Sequence, residues 1–372
     1  MRILIANDKF KGSMGAGEVA HHIKKGLKSL YIEAEIDICP IADGGEGTTE
    51  AVTAALKGQI VLVETVDAQG RPIKAAMGWI PEARTAVLEM SAASGISLVA
   101  DLKLNPLTAN SLGTGILLKK AAQLGALKVL IGIGGSATND GGLGVALALG
   151  FRFSRQGQPF IPTLETLLEA DQVAPPLQPW AAEVLVACDV DNPLLGPRGA
   201  TRIYGPQKGV TDFVWFENRL EHLADLVKRD LGRDPRDMPG AGAAGGLGFG
   251  LMAFMDGQLT SGFEIVAQHI GLEARIAAAD VIITGEGRLD AQSLQGKGPV
   301  GVADMARRLG KKIIGLAGSI DDSPALRARF DLLIGIKPPE MPLAEAMQCT
   351  SELIEVAITR EATALRQLTA LS

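Results

Sequence analysis

The spacing of hydrophobic positions at the amino end of the chain alternates between that of strands and that of helices. The apolar run over residues 2–7 predicts a buried strand, and apolar residues at helical spacing between 19 and 30 predict the helix that follows. A second strand over residues 36–41 and a helix that ends near residue 56 repeat the pattern. Such a unit places its strands parallel in one sheet, so the loops after the strands meet at one edge.

The same alternation returns after about residue 264. Residues 281–284 and 312–317 are apolar runs typical of buried parallel strands, and a helical pattern follows each of them. Residues 342–371 predict a long final helix. Because this pattern matches that of the amino end, we expect both chain ends to contribute to one sheet.

The middle of the chain has a different pattern. Three short β-like runs between residues 61 and 90, separated by turn-forming residues, predict an antiparallel meander. We therefore predict an α/β protein in which residues 1–65 and 265–372 form a discontinuous Rossmann-like or flavodoxin-like parallel-sheet domain, and residues 66–264 form an inserted mixed α/β domain. The other elements predicted in the insert are helices over 113–124 and 212–231, strands over 128–133 and 184–187, and an irregular connection marked by prolines over 162–179.

Composition is that of a globular protein in a reducing compartment. The chain has 372 residues, of which 47% are apolar, enough for two cores at about 150 residues per domain. Its net charge is −6 without a cluster of Lys or Arg, so we expect no nucleic-acid partner. No apolar run approaches the roughly 18 residues of a membrane helix, the amino end becomes charged too early for a signal peptide, and the three cysteines lie far apart. We expect a cytoplasmic protein without a membrane partner.

Carboxylates and cations gather on the loops that follow the predicted strands. In residues 281–297, an apolar strand leads into Thr-Gly-Glu-Gly-Arg-Leu-Asp. Similar glycine-bearing loops lie at residues 7–13, 42–48 and 134–142, and an acidic strand end lies at 188–194. A tight turn explains a single glycine equally well, but carboxylates can hold Mg²⁺ while lysines and backbone N–H groups hold phosphate oxygens. The combination predicts a phosphate-handling site.

Several motifs of other enzyme classes are absent from the sequence. The chain has no Gly-x-x-x-x-Gly-Lys-Ser/Thr, no His-Arg-Asp or Asp-Phe-Gly, and no Gly-x-Ser-x-Gly. A P-loop enzyme and a protein kinase are therefore excluded.

Five of these segments have an order and spacing similar to those of a known family. They are Asn-Asp-Lys-Phe-Lys-Gly-Ser at 7–13, Ala-Asp-Gly-Gly-Glu-Gly-Thr at 42–48, Gly-Gly-Ser-Ala-Thr-Asn-Asp-Gly-Gly at 134–142, Cys-Asp-Val-Asp-Asn-Pro-Leu at 188–194 and Thr-Gly-Glu-Gly-Arg-Leu-Asp at 284–290. Together they resemble the bacterial glycerate kinases that yield 2-phosphoglycerate, over nearly the whole chain. Asn7 and Lys9 stand where that family usually has proline and serine.

The resemblance implies an activity, its cofactors and its partners. The activity is ATP-dependent phosphorylation of glycerate, as the R enantiomer, at the C2 hydroxyl to give 2-phosphoglycerate and ADP. The site implied is a Mg²⁺-dependent cleft between two α/β domains. The substrate is a small molecule, and the protein is expected to be a monomer or a homodimer.

Roles can be assigned from the chemistry of phosphoryl transfer to an alcohol. We predict Asp189 as the general base, because it follows a strand expected to be buried, where desolvation favours proton acceptance. We assign Lys11 and Lys297 to phosphate oxygens, and Arg198 or Arg288 to a two-pronged contact with the substrate carboxylate. The full predicted site comprises catalytic Asp189, Lys11 and Asp290; metal-binding Asp43, Glu286 and Asp290; cofactor-binding Gly44, Gly45, Gly134, Gly135, Ser136, Gly285, Gly287 and Lys297; and substrate-binding Ser13, Asn192, Arg198 and Arg288.

Two other functions remain open at the level of the sequence. Residues 239–248 are rich in glycine and loosely resemble the phosphate loop of galactokinase-like enzymes, so another sugar or hydroxy-acid kinase is an alternative. A nucleotide-binding or metabolite-binding regulator without turnover is the other. The many acids argue against a regulator, since an anion sensor gains nothing from carboxylates around a phosphate.

Overall fold

The secondary structure is taken from a computed structural model, which describes residues 1–30, 33–42, 44–291, 293–295, 298–321 and 323–370. Within these residues the strands, in chain order, are β1 (Arg2–Ile5), β2 (Glu35–Ile38), β3 (Gln59–Val66), β4 (Pro72–Ile80), β5 (Thr85–Glu89), β6 (Lys128–Gly132), β7 (Arg152–Arg155), β8 (Gln158–Phe160), β9 (Gln172–Ala174), β10 (Glu183–Ala187), β11 (Gln258–Thr260), β12 (Val281–Thr284), β13 (Arg288–Leu289), β14 (Lys312–Ala317), β15 (Ser319–Ile320) and β16 (Leu332–Gly335).

The helices of the same described residues connect these strands. In chain order they are α1 (Ala16–Ser29), α2 (Thr48–Ala55), α3 (Ser91–Ser94), α4 (Leu112–Gln123), α5 (Leu143–Ala148), α6 (Ala200–Tyr204), α7 (Phe213–Leu231), α8 (Ala243–Met255), α9 (Gly262–His269), α10 (Leu272–Ala278), α11 (Gly298–Arg308), α12 (Pro324–Arg327), α13 (Leu343–Gln348), α14 (Thr350–Arg360) and α15 (Ala362–Ala370). None of the helices in the described part of the chain is long and apolar enough to cross a bilayer.

The chain folds into two compact units. The first comprises Met1–Asp43, Ala54–Leu56 and Val266–Ser372, and the second comprises Gly44–Thr53 and Lys57–Ile265. The boundary expected at residue 65 differs from this division. Residues 59–66 form β3, which pairs antiparallel with β4 and so belongs to the sheet of the second unit.

The first unit is built around a parallel sheet of β16, β14, β12, β1 and β2, in that order. Counted along the unit, this is the strand order 2-1-3-4-5 of flavodoxin-like folds. Its apolar strands are covered by α1 and α14, whose buried residues join those of the sheet in one core. The predicted α/β class, with a parallel sheet formed from both chain ends, is confirmed.

One helix prediction in the first unit was wrong. Residues 342–371 were expected to form one helix, but the described residues form α13, α14 and α15. The first break lies at Cys349, where the carbonyl oxygen of Met347 accepts the hydroxyl of Ser13 at 2.8 Å. That long-range contact is not visible in the local hydrophobic pattern.

The second unit contains a mixed sheet in the order β11, β10, β6, β5, β4 and β3. The pairs β3–β4 and β4–β5 are antiparallel, as the predicted meander requires, whereas β5, β6, β10 and β11 run parallel. Its core includes residues of α4, α5, α7 and α8. A three-stranded sheet, β8-β7-β9, precedes and overlaps the connection expected to be irregular, and it was missed because its strands are only three or four residues long.

Candidate functional site

Gly44 lies at the carboxyl edge of the mixed sheet in the second unit. A Cβ atom built on Gly44 would lie 2.4 Å from the Cβ atom of Ala187, where β10 ends. A Cβ atom on Gly132, the last residue of β6, would lie 2.1 Å from the carbonyl oxygen of Gly44. A side-chain carbon cannot fit at either distance. Glycine at both positions therefore allows the Gly44 loop to pack against the ends of two parallel strands, β6 and β10. Ligands of α/β sheets bind at this edge.

Glu89, the last residue of β5, holds the other end of the same loop. Its carboxylate accepts the backbone N–H of Thr49 at 2.7 Å and that of Gly47 at 3.3 Å. These N–H groups belong to the start of α2, so Glu89 supplies the cap from a distant strand. Glu89 is only 7% exposed, and this burial raises its pKa, although the two N–H groups oppose the shift. The sequence analysis did not single out this residue.

The loop over residues 134–142 follows β6 and lies beside the Gly44 loop. A Cβ atom on Gly134 would lie 3.9 Å from the Cα atom of Gly45. Gly134 and Gly135 are exposed, and Gly135 has a φ of 72° that favours glycine. Ser136 is buried behind them. The predicted cofactor-binding residues of the second unit therefore lie together at one sheet edge.

Lys208 lies beneath this loop and was also missed by the sequence analysis. Its side chain is 1% exposed, and its Nζ atom donates to Ser136 Oγ at 2.5 Å and to the carbonyl oxygen of Thr138 at 2.6 Å. Burial lowers the pKa of Lys208 from 10.5 to about 7, while the negative charge of Asp140 opposes the shift. The one sequence signal was a lysine in the turn-forming run Gly-Pro-Gln-Lys-Gly at 205–209.

Asp140, one of the loop acids noted in the sequence, has a structural role. Its Oδ2 atom accepts the backbone N–H and the hydroxyl of Ser111, both at 2.8 Å, and the backbone N–H of Gly144 at 3.0 Å. It is 1% exposed. The carboxylate thus joins the starts of α4 and α5 and is turned away from solvent.

The glycines of residues 239–248 are explained by packing. A Cβ atom on Gly245 would lie 1.9 Å from the carbonyl oxygen of Thr138, and one on Gly246 would lie 2.8 Å from the Cα atom of Gly141. Both glycines are buried and have positive φ angles. The segment supports the 134–142 loop from behind, which removes the main argument for a galactokinase-like phosphate loop.

Asp189 follows β10 and lies at the same edge as the Gly44 loop. Its Oδ1 atom accepts the backbone N–H of Gly262 at 3.3 Å, and the Cα atom of Gly262 lies 3.2 Å from the position of a Cβ atom on Gly44. The expectation that Asp189 is desolvated was wrong, because its side chain is exposed. Only Val184 and Val186 of the preceding strand are buried, and that strand ends at Ala187.

The loop after Asp189 is held by its own side chains. Asn192 accepts the hydroxyl of Tyr204 at 2.6 Å and donates to the carbonyl oxygen of Arg198 at 2.8 Å. Burial raises the pKa of Tyr204, and Cys188 and Asp191 add to the shift. The Arg198 guanidinium lies 2.7 Å from the carboxylate of Asp191, and both side chains are exposed. Asn192 therefore braces the loop, and Arg198 already has a carboxylate partner.

The first unit has its own loops at the carboxyl ends of β1 and β12. The backbone N–H of Asp8 donates to the carbonyl oxygen of Gly285 at 2.8 Å. A Cβ atom on Gly285 would lie 1.6 Å from the carbonyl oxygen of Leu316, and one on Gly287 would lie 3.4 Å from the backbone nitrogen of Lys11. Lys11 is exposed on this edge. In the 2-1-3-4-5 order, these two strands flank the point where the strand order reverses, which is the usual ligand position.

Three charged residues follow β12 on one loop. Ser293 donates its hydroxyl to Glu286 at 2.7 Å and its backbone N–H to Asp290 at 3.4 Å, which draws the two acids together. Arg288 lies 3.3 Å from Asp290 and 2.8 Å from Asp321. Among the described residues, no three His, Cys, Asp or Glu side chains are grouped as metal ligands. Two carboxylates are nevertheless what Mg²⁺ uses when phosphate oxygens and waters complete its shell.

One further predicted residue has a structural role, and two lie outside the described part of the chain. Ser13 donates its hydroxyl to the carbonyl oxygen of Met347 at 2.8 Å and lies 2.5 Å from Thr350 Oγ1, so it ties its loop to the start of α14. Asp43 and Lys297 lie outside the residues that the structure describes. Their assignments remain predictions.

The predicted residues therefore form two groups. The second unit brings together Gly44, Gly45, Gly134, Gly135, Ser136 and Asp189, with Asn192 and Arg198 on the loop after Asp189. The first unit brings together Lys11, Gly285, Glu286, Gly287, Arg288 and Asp290.

Comparisons with known proteins agree on one family. The profile of the glycerate kinase family matches residues 3–366. A glycerate kinase of Bacillus subtilis (strain 168) is 42% identical over 363 residues, which is 95% of each chain, and a glycerate 2-kinase of Escherichia coli (strain K12) is 44% identical over 330 residues, 87% of this chain and 86% of that one. The crystal structure of a protein assigned as glycerate kinase 2 from Salmonella typhimurium LT2 is similar over 100% of both chains, with a TM-score of 0.89 and 40% identity.

Proposed function

This chain belongs to the glycerate kinase family, and from that premise we propose that it transfers the γ-phosphoryl group of ATP to the C2 hydroxyl of (R)-glycerate. The products are 2-phosphoglycerate and ADP. The name of the Escherichia coli relative, glycerate 2-kinase, supports transfer to C2. The structural observation that carries the proposal is the meeting of the Gly44 and Gly134 loops at the carboxyl edge of a parallel sheet, because phosphate groups bind at such edges.

We assign the nucleotide phosphates to the glycine loops of the second unit. Gly134 and Gly135 are exposed and have no side chain, so a phosphate oxygen can approach their backbone closely. Gly44 and Gly45 lie against this turn, and Glu89 holds their loop in place. Rigid N–H groups suit phosphoryl transfer, in which most of the catalysis comes from positioning and charge stabilisation.

We assign Mg²⁺ to Glu286 and Asp290, whose carboxylates share Ser293 as a hydrogen-bond partner. Bound Mg²⁺ would neutralise charge on the phosphate oxygens during transfer. Lys11 extends from the neighbouring loop of the same unit and is assigned to a phosphate oxygen. Asp43 is the third proposed metal ligand.

We assign the general base to Asp189. A carboxylate must accept the proton of the attacking hydroxyl, and Asp189 is an exposed acid at the edge that carries the glycine loops. The backbone N–H of Gly262 donates to its Oδ1 atom and holds the side chain at this edge. Its effectiveness as a base then depends on exclusion of water by the bound substrates rather than on burial by the protein alone.

We assign the carboxylate of glycerate to Arg198 or Arg288. Each already pairs with an acid on the surface, through Asp191 or through Asp290 and Asp321. Exposed ion pairs contribute only about 0–1 kcal/mol, so a substrate carboxylate can replace one of these partners. Ser13 and Asn192 have structural partners, and we propose that they affect glycerate binding by holding their loops.

The setting proposed for this activity is the cytoplasm. The substrate is a small molecule, no nucleic acid takes part, and the enzyme acts as a monomer or a homodimer. Analytical ultracentrifugation of the purified protein distinguishes the two assemblies.

The test of the proposal is release of ADP by the purified protein with ATP, Mg²⁺ and (R)-glycerate. We expect turnover with (R)-glycerate, little with (S)-glycerate or a panel of sugars and other hydroxy acids, and none after removal of divalent cations with EDTA. Phosphorus NMR of the product distinguishes 2-phosphoglycerate from 3-phosphoglycerate. ADP release that is independent of glycerate, or that is faster with a sugar, contradicts the proposal.

A further inference from the structure

The side-chain nitrogen of Lys208 is enclosed by the protein and bound to the loop that follows β6. Its side chain is 1% exposed, and its Nζ atom donates to Ser136 Oγ at 2.5 Å and to the carbonyl oxygen of Thr138 at 2.6 Å. Burying such a group costs several kcal/mol unless hydrogen bonds compensate it. A methionine or leucine would fill the same space without that cost. Packing alone therefore does not explain a lysine here, and its hydrogen bonds to the loop must have a role.

The direction of the first hydrogen bond determines what Ser136 can do. Protonated lysine has only donors, so in that form of Lys208 the Oγ atom of Ser136 accepts and its own hydroxyl hydrogen points elsewhere. An ammonium donor polarises the hydroxyl and makes it a stronger donor in turn. Ser136 therefore presents a fixed, polarised O–H group directly behind the exposed turn at Gly134 and Gly135.

The surroundings of this hydroxyl favour an anionic acceptor. Asp140, a buried acid of the same loop, accepts four hydrogen bonds, from Ser111, Gly142 and Gly144. The turn itself offers backbone N–H groups at glycines, which admit a phosphate oxygen more readily than a bulky group. A phosphate is therefore a better match than a cation or an apolar group.

We propose that Lys208 is a positioning residue of the nucleotide site: it fixes the hydroxyl of Ser136 as a hydrogen-bond donor to a phosphate oxygen of the bound nucleotide. Lys208 does not touch the nucleotide itself. The inference rests on the proposed kinase function for the identity of the ligand, and it assigns a role to a residue far from the glycine motifs in the sequence.

The experiment is a double-mutant cycle on nucleotide binding. Ser136→Ala, Lys208→Met and the double variant are titrated with MgATP in the absence of glycerate, and their KM values for ATP and glycerate are measured separately. We expect each single variant to weaken ATP binding about tenfold or more, the size expected for a hydrogen bond to a charged group. The double variant should bind ATP no more weakly than Lys208→Met, because both changes remove the same interaction. The KM for glycerate should change less than twofold.

Lys119→Met, which removes an exposed lysine on α4, is the matched control and should bind ATP like the wild type. Thermal unfolding shows whether each variant is folded. If Lys208→Met does not fold, Ser136→Ala decides alone, since it leaves the lysine in place. Unchanged ATP affinity in Ser136→Ala, additive losses in the double variant, or a rise in the KM for glycerate instead of that for ATP would each overturn the proposal. Because the titration needs no turnover, a wild type that binds ATP but does not phosphorylate glycerate refutes the proposed function and leaves this test intact.

Discussion

The carboxylate of Glu89 and the backbone N–H of Thr49 lie 2.7 Å apart, although 40 residues separate them in the chain. Replacing Glu89 by alanine leaves the N–H groups of Thr49 and Gly47 without their acceptor. We expect Glu89→Ala to lower the free energy of unfolding by about 1–3 kcal/mol, the cost of unpaired buried polar groups, and to raise the KM for ATP. Urea denaturation and steady-state kinetics measure the two effects. Wild-type values for both would contradict the role assigned to Glu89.

The charge of Glu89 also has a pH signature. Its pKa in the folded protein is raised above the ordinary 4.5, chiefly by burial. A raised folded pKa contributes stability below about pH 4.5 that is lost as the pH rises through the folded pKa. Glu89→Gln has no proton to lose at this position. The free energy of unfolding of Glu89→Gln relative to the wild type should therefore increase from about pH 4.5 to pH 7, and a constant difference contradicts this.

Gly44 provides a test of the close approach at the sheet edge. An alanine there meets Ala187 at 2.4 Å and must also adopt a φ of 87°. Gly70 has a φ of 84° but nothing within 4 Å of its Cβ position, so it is a control with the same backbone strain and no clash. We expect Gly70→Ala to cost about 1–2 kcal/mol of stability, with activity retained.

Gly44→Ala should cost about 1–3 kcal/mol more than that control because of overpacking, and it should abolish most of the kinase activity. Chemical denaturation and ADP release measure the two quantities. Equal stability and equal activity of the two variants would show that the approach of Gly44 to β10 is unimportant.

Lys208 should make stability depend on pH in the alkaline range. Its pKa falls from 10.5 to about 7 on folding, because burial disfavours the charged form. Between these values the unfolded chain binds a proton that the folded protein does not, so the free energy of unfolding rises with pH and falls as the pH returns towards 7. Lys208→Met should remove this contribution. Denaturation curves of both proteins between about pH 7 and pH 10 measure it, and parallel pH profiles would contradict it.

Asp189 is tested by a change that keeps its shape. Asp189→Asn preserves the hydrogen bond from Gly262 but cannot accept the substrate proton. We expect kcat to fall by a factor of about 10² or more, the usual contribution of a general base, with ATP affinity unchanged. Asp191→Asn, which alters a neighbouring exposed acid paired with Arg198, is the control and should keep kcat within a few-fold. Near-normal kcat in Asp189→Asn would remove it as the base.

The fold could be predicted where local pattern decides it. Apolar runs such as Val281–Thr284 and the helical spacing of Phe213–Leu231 identify elements that pack on one face, and alternating strand and helix require a parallel sheet. The β7, β8 and β9 strands were not predictable in this way, because three or four residues carry too little pattern. Near the break at Cys349, the carbonyl oxygen of Met347 accepts a hydrogen bond from Ser13, a residue more than three hundred positions earlier, which no local pattern shows.

The candidate site likewise contains some residues that the sequence pattern identified and others that it did not. The glycine loops and Asp189 were identifiable because they follow strands and carry unusual residues for their position. Glu89 and Lys208 were not, since each acts on a loop that is 40 or 72 residues away in the chain. In the sequence, a buried lysine such as Lys208 cannot be distinguished from a surface lysine. Only the folded arrangement shows that it is enclosed and which oxygen atoms it contacts.

The position of β1 in the first unit has a consequence for biosynthesis. Of its two neighbours, β2 is made soon after it, but β12 leaves the ribosome only when about three quarters of the chain has been translated. β1 must therefore wait with one edge unpaired while the second unit, whose described strands precede β12, is completed. During that interval the nascent amino end is the part of the protein most in need of protection by chaperones.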